Sequence, residues 1–238
     1  MAIPGLYEVF QKKWVQQAVW VISDTHFEDA DCKLMDSDWI SPEEAVSRIN
    51  ACVGHKDTFI HLGDVGNVEW IKKIRGYKVL IMGNHDSGRT NYERRKVSRK
   101  FPKEAFQKSE ALDEMKRIYP DCQYSVTEGY DFHSPFEYWE VFADNLLFDE
   151  VYEGPVMIGP KLILSHEPLD TPWAFNIHGH DHSGVKAIGH LNLASNVVNY
   201  KPIQLNRLMK QGLTSNVLDI HRNTINAATI REIKRNKI

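Results

Sequence analysis

Short apolar runs, most of which end on a polar side chain, alternate with polar stretches along this chain. Three runs in the first half, at 18–23, 57–62 and 77–82, predict buried strands of a parallel sheet. Ser41-Pro42-Glu43-Glu44 has the residue types that begin a helix, and the apolar residues after it recur at helical spacing. A short second helix is predicted over 68–74. This order of strands and helices predicts an α/β fold with right-handed crossovers.

The regular pattern stops after residue 86 and resumes near residue 146. The stretch between is too long for a simple connection within a compact domain. It opens with a basic run at 89–103, for which a solvated loop or helix face is the default interpretation and contact with phosphate or nucleic acid is the alternative. A helix is predicted after Pro102, ending at Tyr119-Pro120, and the aromatic residues of 124–142 are expected to form a small core. We therefore predict a partly helical insertion at about 87–145.

Further short strands are predicted from residue 147 onwards. They cover 147–152, 155–158, 161–164, 174–178 and 188–193, followed by an edge segment at 197–205 that Pro202 interrupts. A tail begins at about residue 211 and contains a basic helix at 224–236. The expected organisation is one domain over residues 1–238, to which the insertion and the tail are added.

The composition is that of an ordinary soluble globular protein. Of 238 residues, 42% are hydrophobic and 26% are charged, and the net charge of -3 gives no overall bias towards nucleic acid. The three cysteines have neither disulfide nor metal-finger spacing, so the cytoplasm is the expected location. We find no secretory signal and no apolar stretch that would span a bilayer, so no membrane association is expected. The 11 histidines are the unusual feature.

Polar residues with metal-binding side chains follow five of the predicted strands. In chain order they are Asp24 and His26, Asp64, Asn84 with His85 and Asp86, His166, and His180 with His182. Carboxylates, imidazoles and an amide oxygen suit Mn, Zn or Fe rather than a thiolate site. One such motif occurs by chance in many chains, but five at strand ends, where open α/β sheets bind ligands, predict a metal site. Neighbouring His178 does not fit the motif spacing, and we expect it either to support a ligand residue from outside the metal site or to have a structural role.

In these residues the sequence resembles the calcineurin-like metallophosphoesterases, in particular the small bacterial, archaeal and phage members. The match runs from about residue 18 to 205, and its motifs are Asp24-Thr25-His26, Gly63-Asp64, Gly83-Asn84-His85-Asp86, His166 and Gly179-His180-Asp181-His182. The resemblance implies a four-layer α/β/β/α sandwich with two metals between the sheet ends. Asn67 stands where purple acid phosphatases carry an iron-binding tyrosine, and Gly63-Asp64 lacks the Asp-Arg-Gly continuation of Ser/Thr protein phosphatases. Both subgroups are therefore disfavoured.

The resemblance also implies a role for each motif residue. Asp24, His26 and His182 would hold the first metal, Asn84, His166 and His180 the second, and Asp64 would bridge both. His85 would lie near the phosphoryl group and protonate the leaving oxygen. Asp86 would orient or charge-stabilise a histidine. Two divalent ions are expected, with Mn favoured and Zn, Fe, Mg or Ni compatible.

The expected activity is hydrolysis of a phosphodiester or phosphomonoester by in-line attack of a metal-bridging hydroxide. A phosphodiester is favoured, and the substrate class includes nucleotides and nucleic acid. One alternative is a nuclease that acts on DNA or RNA through the basic insertion. The other is a protein-interaction module that retains the fold without turnover.

Overall fold

The computed structural model describes residues 2–35, 39–133 and 136–217, and the elements below belong to these residues. The strands are β1 (Val19–Ile22), β2 (Thr58–His61), β3 (Tyr77–Ile81), β4 (Lys96–Pro102), β5 (Gln123–Asp131), β6 (Phe136–Asp144), β7 (Glu150–Tyr152), β8 (Val156–Gly159), β9 (Leu162–Leu164), β10 (Phe175–His178), β11 (His190–Asn192) and β12 (Ile203–Gln204). The α-helices are α1 (Glu8–Trp14), α2 (Ala30–Met35), α3 (Pro42–Cys52), α4 (Lys108–Ile118) and α5 (Leu205–Lys210). Short 3-10 helices occupy Val68–Lys73 and Arg89–Asn91.

The chain forms two compact units. The first consists of the residues before Glu93 and after Phe148, and the second of Glu93–Phe148. All the strand-end motifs lie in the first unit. Among the described residues, no helix combines the length and the apolar character needed to cross a bilayer.

The first sheet of the first unit has the strand order β12-β1-β2-β3-β7. β1, β2, β3 and β7 run parallel, and β12 pairs antiparallel with β1. Every residue of β2 is buried, including Thr58 and His61 at its two ends. The three strands predicted in the first half are confirmed, with ends shifted by at most one residue. Their parallel register places the three following loops at one edge of the sheet.

The second sheet has the strand order β11-β10-β9-β8, with β8 antiparallel to its neighbour and the other pairs parallel. Apolar side chains from both sheets share one buried core, including Val21, Ile60 and Val79 of the first sheet and Leu164 and Ile177 of the second. A mixed α/β fold with several sheets is confirmed. The finer assignment to a four-layer sandwich stays a prediction.

The predicted helix start at residue 41 is confirmed in its mechanism. The hydroxyl of Ser41 accepts a hydrogen bond from the backbone N–H of Glu44 at 3.3 Å, and Pro42 opens α3. Ala45 and Ile49 are buried along one face of the helix. Capping and apolar periodicity therefore agree here, which is why the sequence predicts this helix well.

The second unit differs most from the sequence expectations. β4, β6 and β5 form an antiparallel sheet, and α4 packs on it around buried Phe101, Met115 and Val141. The default interpretation of 89–103 as a loop or helix face is wrong for residues 96–102, which pair with β6 along their whole length. That pairing, supplied by a strand about 40 residues away, overrides the polar local pattern. The aromatic segment likewise forms β5 and β6, and α4 begins at Lys108 rather than directly after Pro102.

The end of the first unit also departs from expectation. The predicted edge segment at 197–205 forms only the two-residue strand β12, after Pro202, and α5 follows it directly. Loss of the proline N–H limits ladder pairing at this point. The helix predicted at 224–236 lies outside the described residues.

Candidate metal centre

The loops that carry the predicted site residues are held in an unusual backbone conformation. Asp24, His26, Asp64 and His180 have φ values of 56°, 38°, 56° and 64°, in the left-handed region that non-glycine residues rarely adopt. Each such residue costs on the order of 1–3 kcal/mol and persists only where its surroundings enforce it. Four of them within one group of strand-end loops indicate a functional site.

Two glycines of the motifs allow the loops to approach one another closely. A Cβ atom at Gly83 would collide with Oδ1 of Asp64, and a Cβ atom at Gly179 would collide with Oδ2 of Asp24. Only glycine leaves room for a carboxylate at these places. The glycine of each motif therefore brings a carboxylate from a neighbouring loop towards the centre.

The first ligand group consists of Asp24, His26 and His182, whose ligand atoms lie within 4.8 Å of one another. Nε2 of His182 is 3.6 Å from Oδ1 of Asp24. Among the described residues, the buried atoms Nε2 of His26 and Nδ1 of His182 have no hydrogen-bond partner. Buried polar atoms normally find a partner, since leaving them unpaired is costly. A cation held by this group would accept the free electron pair of His26.

The second ligand group consists of Asp64, Asn84, His166 and His180. Nε2 of His166 lies 2.8 Å from Oδ1 of Asn84, 3.2 Å from Oδ2 of Asp64 and 3.2 Å from Nδ1 of His180. Nδ1 of His166 donates to the carbonyl oxygen of Leu62 at 2.9 Å, which leaves the electron pair of neutral His166 on Nε2. Two ring nitrogens and two oxygens thus converge on one point, a donor set that suits a divalent cation.

Three buried titratable residues of the two groups have shifted pKa values. Burial raises the pKa of Asp24 despite the nearby His166 and a hydrogen bond from the backbone N–H of His180. Burial also opposes the ionisation of Asp64, but hydrogen bonds from His166 and from the backbone N–H of His85 outweigh it and lower its pKa to about 2. Burial lowers the pKa of His166, yet the hydrogen bond to Asp64 and the charges of Asp24 and Asp64 leave it raised.

Asp64 contacts both groups. Its Oδ2 lies 3.2 Å from Nε2 of His166 and 3.6 Å from Nε2 of His26. The structure therefore brings together all seven residues predicted as metal ligands, in the two sets that the family resemblance implies. Their binding of metal stays a prediction.

The family model of the calcineurin-like phosphoesterases matches residues 18–200. The chain belongs to this family. Membership implies a metal-dependent phosphoester hydrolase, and divalent metals are typical of the family. The two groups of ligand atoms described above fit such ions.

Comparisons of this chain with solved structures and with curated proteins do not extend the family assignment. A crystal structure of a protein of unknown function from Aquifex aeolicus is similar to this chain, with 18% sequence identity and a TM-score of 0.48. The similarity covers 82% of this chain and 98% of the Aquifex chain. The comparison of this chain with curated proteins found no match.

His85 and Asp86 follow the ligand Asn84 but lie in different surroundings. His85 is exposed, and its ring centroid is 5.4 Å from that of His26. The carboxylate of Asp86 is buried and accepts hydrogen bonds from the backbone N–H groups of Gly83, Asp64 and Val65 at 2.9–3.1 Å. Asp86 therefore ties the loop after β3 to the loop after β2. Its role in orienting a histidine stays a prediction.

His61, at the buried end of β2, supports the site through hydrogen bonds, a role that the motif spacing does not predict. The backbone N–H of Gly63 donates to Nδ1 of His61 at 3.2 Å, so Nε2 carries the proton and donates to Oγ1 of Thr25 at 3.0 Å. The Thr25 hydroxyl donates to the carbonyl oxygen of Val65. Burial lowers the pKa of His61 to about 3, so this histidine is neutral. The sequence signal was available, since His61 and Thr25 each stand within three residues of a predicted ligand.

His178 lies outside both ligand groups. Its Nδ1 donates to the carbonyl oxygen of Gly179 at 2.8 Å, and its ring centroid is 5.4 Å from that of His190. Burial lowers its pKa. Whether His178 supports a ligand residue or has a structural role only stays a prediction.

Proposed function

We propose that this protein is a dinuclear metal-dependent phosphoesterase that hydrolyses phosphodiesters in preference to phosphomonoesters. The observation that carries the dinuclear site is the convergence of two ligand groups on Asp64, whose Oδ2 lies within 3.6 Å of a histidine nitrogen from each group. The first ion would be held by Asp24, His26 and His182, and the second by Asn84, His166 and His180. Carboxylate, imidazole and amide oxygen donors suit Mn, Zn or Fe, and Mn is the ion that we favour.

The bound ions supply an activated water and neutralise charge on the phosphoryl oxygens. His85 supplies a proton. It is exposed beside the first ligand group and belongs to neither, so a ring nitrogen is free to protonate the leaving oxygen. The backbone N–H of His85 donates to Oδ1 of Asp64 at 3.0 Å, which fixes the loop of His85 relative to the shared carboxylate.

The nuclease alternative depends on the basic residues of the second unit, and their contacts do not favour it. Arg94 donates to both carboxylate oxygens of Asp144, and Lys103 contacts Glu128 and Glu137. Residues 93–148 contain nine Lys and Arg against eleven Asp and Glu. Phosphate-backbone affinity requires unpaired basic charge. We therefore place a small phosphate ester, including nucleotides, ahead of DNA or RNA.

The experiment is a paired assay of the metal-stripped protein after addition of Mn²⁺. Turnover of bis-p-nitrophenyl phosphate is compared with that of p-nitrophenyl phosphate, with His85→Ala and the exposed control His55→Ala alongside. Diester turnover well above monoester turnover, lost in His85→Ala and kept in His55→Ala, supports the proposal. Monoester preference contradicts the diester assignment. Two bound ions without turnover of either ester favour the interaction module instead.

A further inference from the structure

Asp29 lies behind His26, on the side of the imidazole opposite the first ligand group. Nδ1 of His26 is 3.2 Å from Oδ2 of Asp29, so the ring donates its proton to the carboxylate. The other ring nitrogen, Nε2, is buried without a hydrogen-bond partner among the described residues and lies 3.6 Å from Oδ2 of Asp64. The two nitrogens of this ring therefore differ: Nδ1 donates a hydrogen bond, and Nε2 has an unused electron pair.

The carboxylate of Asp29 is itself held in place by a second donor. The backbone N–H of Asp31 donates to its Oδ1 at 3.0 Å, a capping contact at the start of α2. The ring of His26 and the backbone of Asp31 therefore fix the orientation of this carboxylate, one at each oxygen.

His26, Asp29 and Cys32 also lie close enough together to hold a cation of their own. Two contacts argue against that use. Nδ1 of His26, the nitrogen on this side, carries the proton that it donates to Asp29. Burial and the charge of Asp29 raise the pKa of Cys32 to about 12, so its sulfur stays protonated rather than becoming a thiolate ligand.

The ring of His26 is further restricted by aromatic neighbours. The ring centroid of Trp39 lies 5.7 Å away in an edge-on arrangement, and the ring of His182 lies 5.4 Å away. Packing alone limits rotation of the ring but does not decide which nitrogen carries the proton. The hydrogen bond that one of the two nitrogens makes decides that.

We propose that Asp29 is a positioning residue of the first metal site, which accepts the Nδ1 proton of His26 and so directs the Nε2 electron pair at the cation. The inference rests on the proposed function, because it presupposes an ion at Asp24, His26 and His182. A carboxylate behind a histidine ligand fixes the tautomer and raises the basicity of the ligand, and its loss commonly costs 10–100-fold in metal affinity.

The test uses Asp29→Ser and Asp29→Asn, with Asp31→Asn as the control in the same loop. Serine and asparagine both cap a helix well, so either variant retains the start of α2. Serine is too short to reach His26, whereas asparagine retains a weaker, uncharged acceptor. Stepwise binding of Mn²⁺ to the metal-free full chain is measured by calorimetry. We expect one of two ions to bind about 10–100-fold more weakly in Asp29→Ser, a smaller loss in Asp29→Asn, and no change in Asp31→Asn.

A second readout does not involve metal. Nitrogen-15 NMR of the metal-free protein at alkaline pH reports which nitrogen of His26 carries the proton. We expect protonated Nδ1 in the wild type and a mixture of tautomers in Asp29→Ser. Wild-type binding of both ions by Asp29→Ser, equal weakening of both ions, or an unchanged tautomer would overturn the inference. A wild-type protein that binds no ions would instead overturn the proposed function.

Discussion

The two ligand groups around Asp64 differ in how closely the protein itself draws them together. In the second group, Nε2 of His166 lies 2.8 Å from Asn84 and 3.2 Å from His180. In the first group, the contact between His182 and Asp24 spans 3.6 Å. The supports also differ, because a backbone carbonyl fixes the tautomer of His166 and a side chain, that of Asp29, fixes the tautomer of His26. The tautomer of the histidine ligand therefore depends on the backbone in the second group. In the first group it depends on a side chain, which a substitution can remove.

Asp64→Ala is expected to have the largest effect, because Asp64 is the only residue in contact with a histidine of each group among the described ion pairs. Removing it deprives both groups of a ligand. We expect fewer than two bound Mn²⁺ ions and a loss of turnover greater than about 100-fold, since loss of even an outer-shell partner costs 10–100-fold. Metal analysis and the diester assay measure this, with the exposed helix residue Asp113→Asn as control. Normal two-ion occupancy in Asp64→Ala would contradict the shared role.

His85→Ala tests the opposite case, a residue that lies beside the groups and belongs to neither. We expect both ions to remain bound and turnover to fall by about 10²–10⁴-fold, the usual cost of losing a general acid. The measurements are metal content and kcat for the diester. Turnover equal to that of wild type would remove His85 from the mechanism, and loss of an ion would make it a ligand.

Gly83→Ala tests whether the close approach of Asp64 to the loop after β3 requires a residue without a side chain at position 83. The added methyl group would collide with Oδ1 and the backbone nitrogen of Asp64. Overpacking of this kind typically lowers the free energy of unfolding by about 1–3 kcal/mol. Gly154→Ala is the matched control, because a Cβ atom there meets no atom within 4 Å. Urea unfolding of both variants measures the difference, and equal stabilities would show that the loop has room for a side chain.

The strands and helices best predicted from the sequence are those whose pattern is local. The mainly apolar runs of β1, β2 and β3 and the capped start of α3 each contain their own signal. β4 was missed because its pairing partner, β6, lies about 40 residues away and its own residues alternate with lysine and arginine. The candidate ligand residues are predicted from motif spacing, but the contacts of Asp29 and His61 are not. Both act through a hydrogen bond to another site residue, and such contacts depend on loop geometry that spacing does not describe.

The last prediction concerns the hydrogen bonds of His61, which connect Thr25, in the loop of Asp24 and His26, with Gly63, in the loop of Asp64. His61→Leu would leave the N–H of Gly63 without its acceptor and Thr25 without the donor Nε2, in a fully buried place. Unsatisfied buried groups of this kind cost about 1–3 kcal/mol in the free energy of unfolding. Exposed His55→Leu serves as the control and is expected to change it little.

A double-mutant cycle of His61→Leu with Thr25→Val isolates the contact itself, since valine has nearly the shape of threonine without its hydroxyl. Residues in direct hydrogen-bond contact typically couple by about 0.5–3 kcal/mol. A coupling in that range, accompanied by weaker binding of Mn²⁺ in both single variants, would show that the two loops depend on one shared hydrogen bond. Additive effects would mean that each loop holds its own shape, and the two ligand groups would then be supported independently.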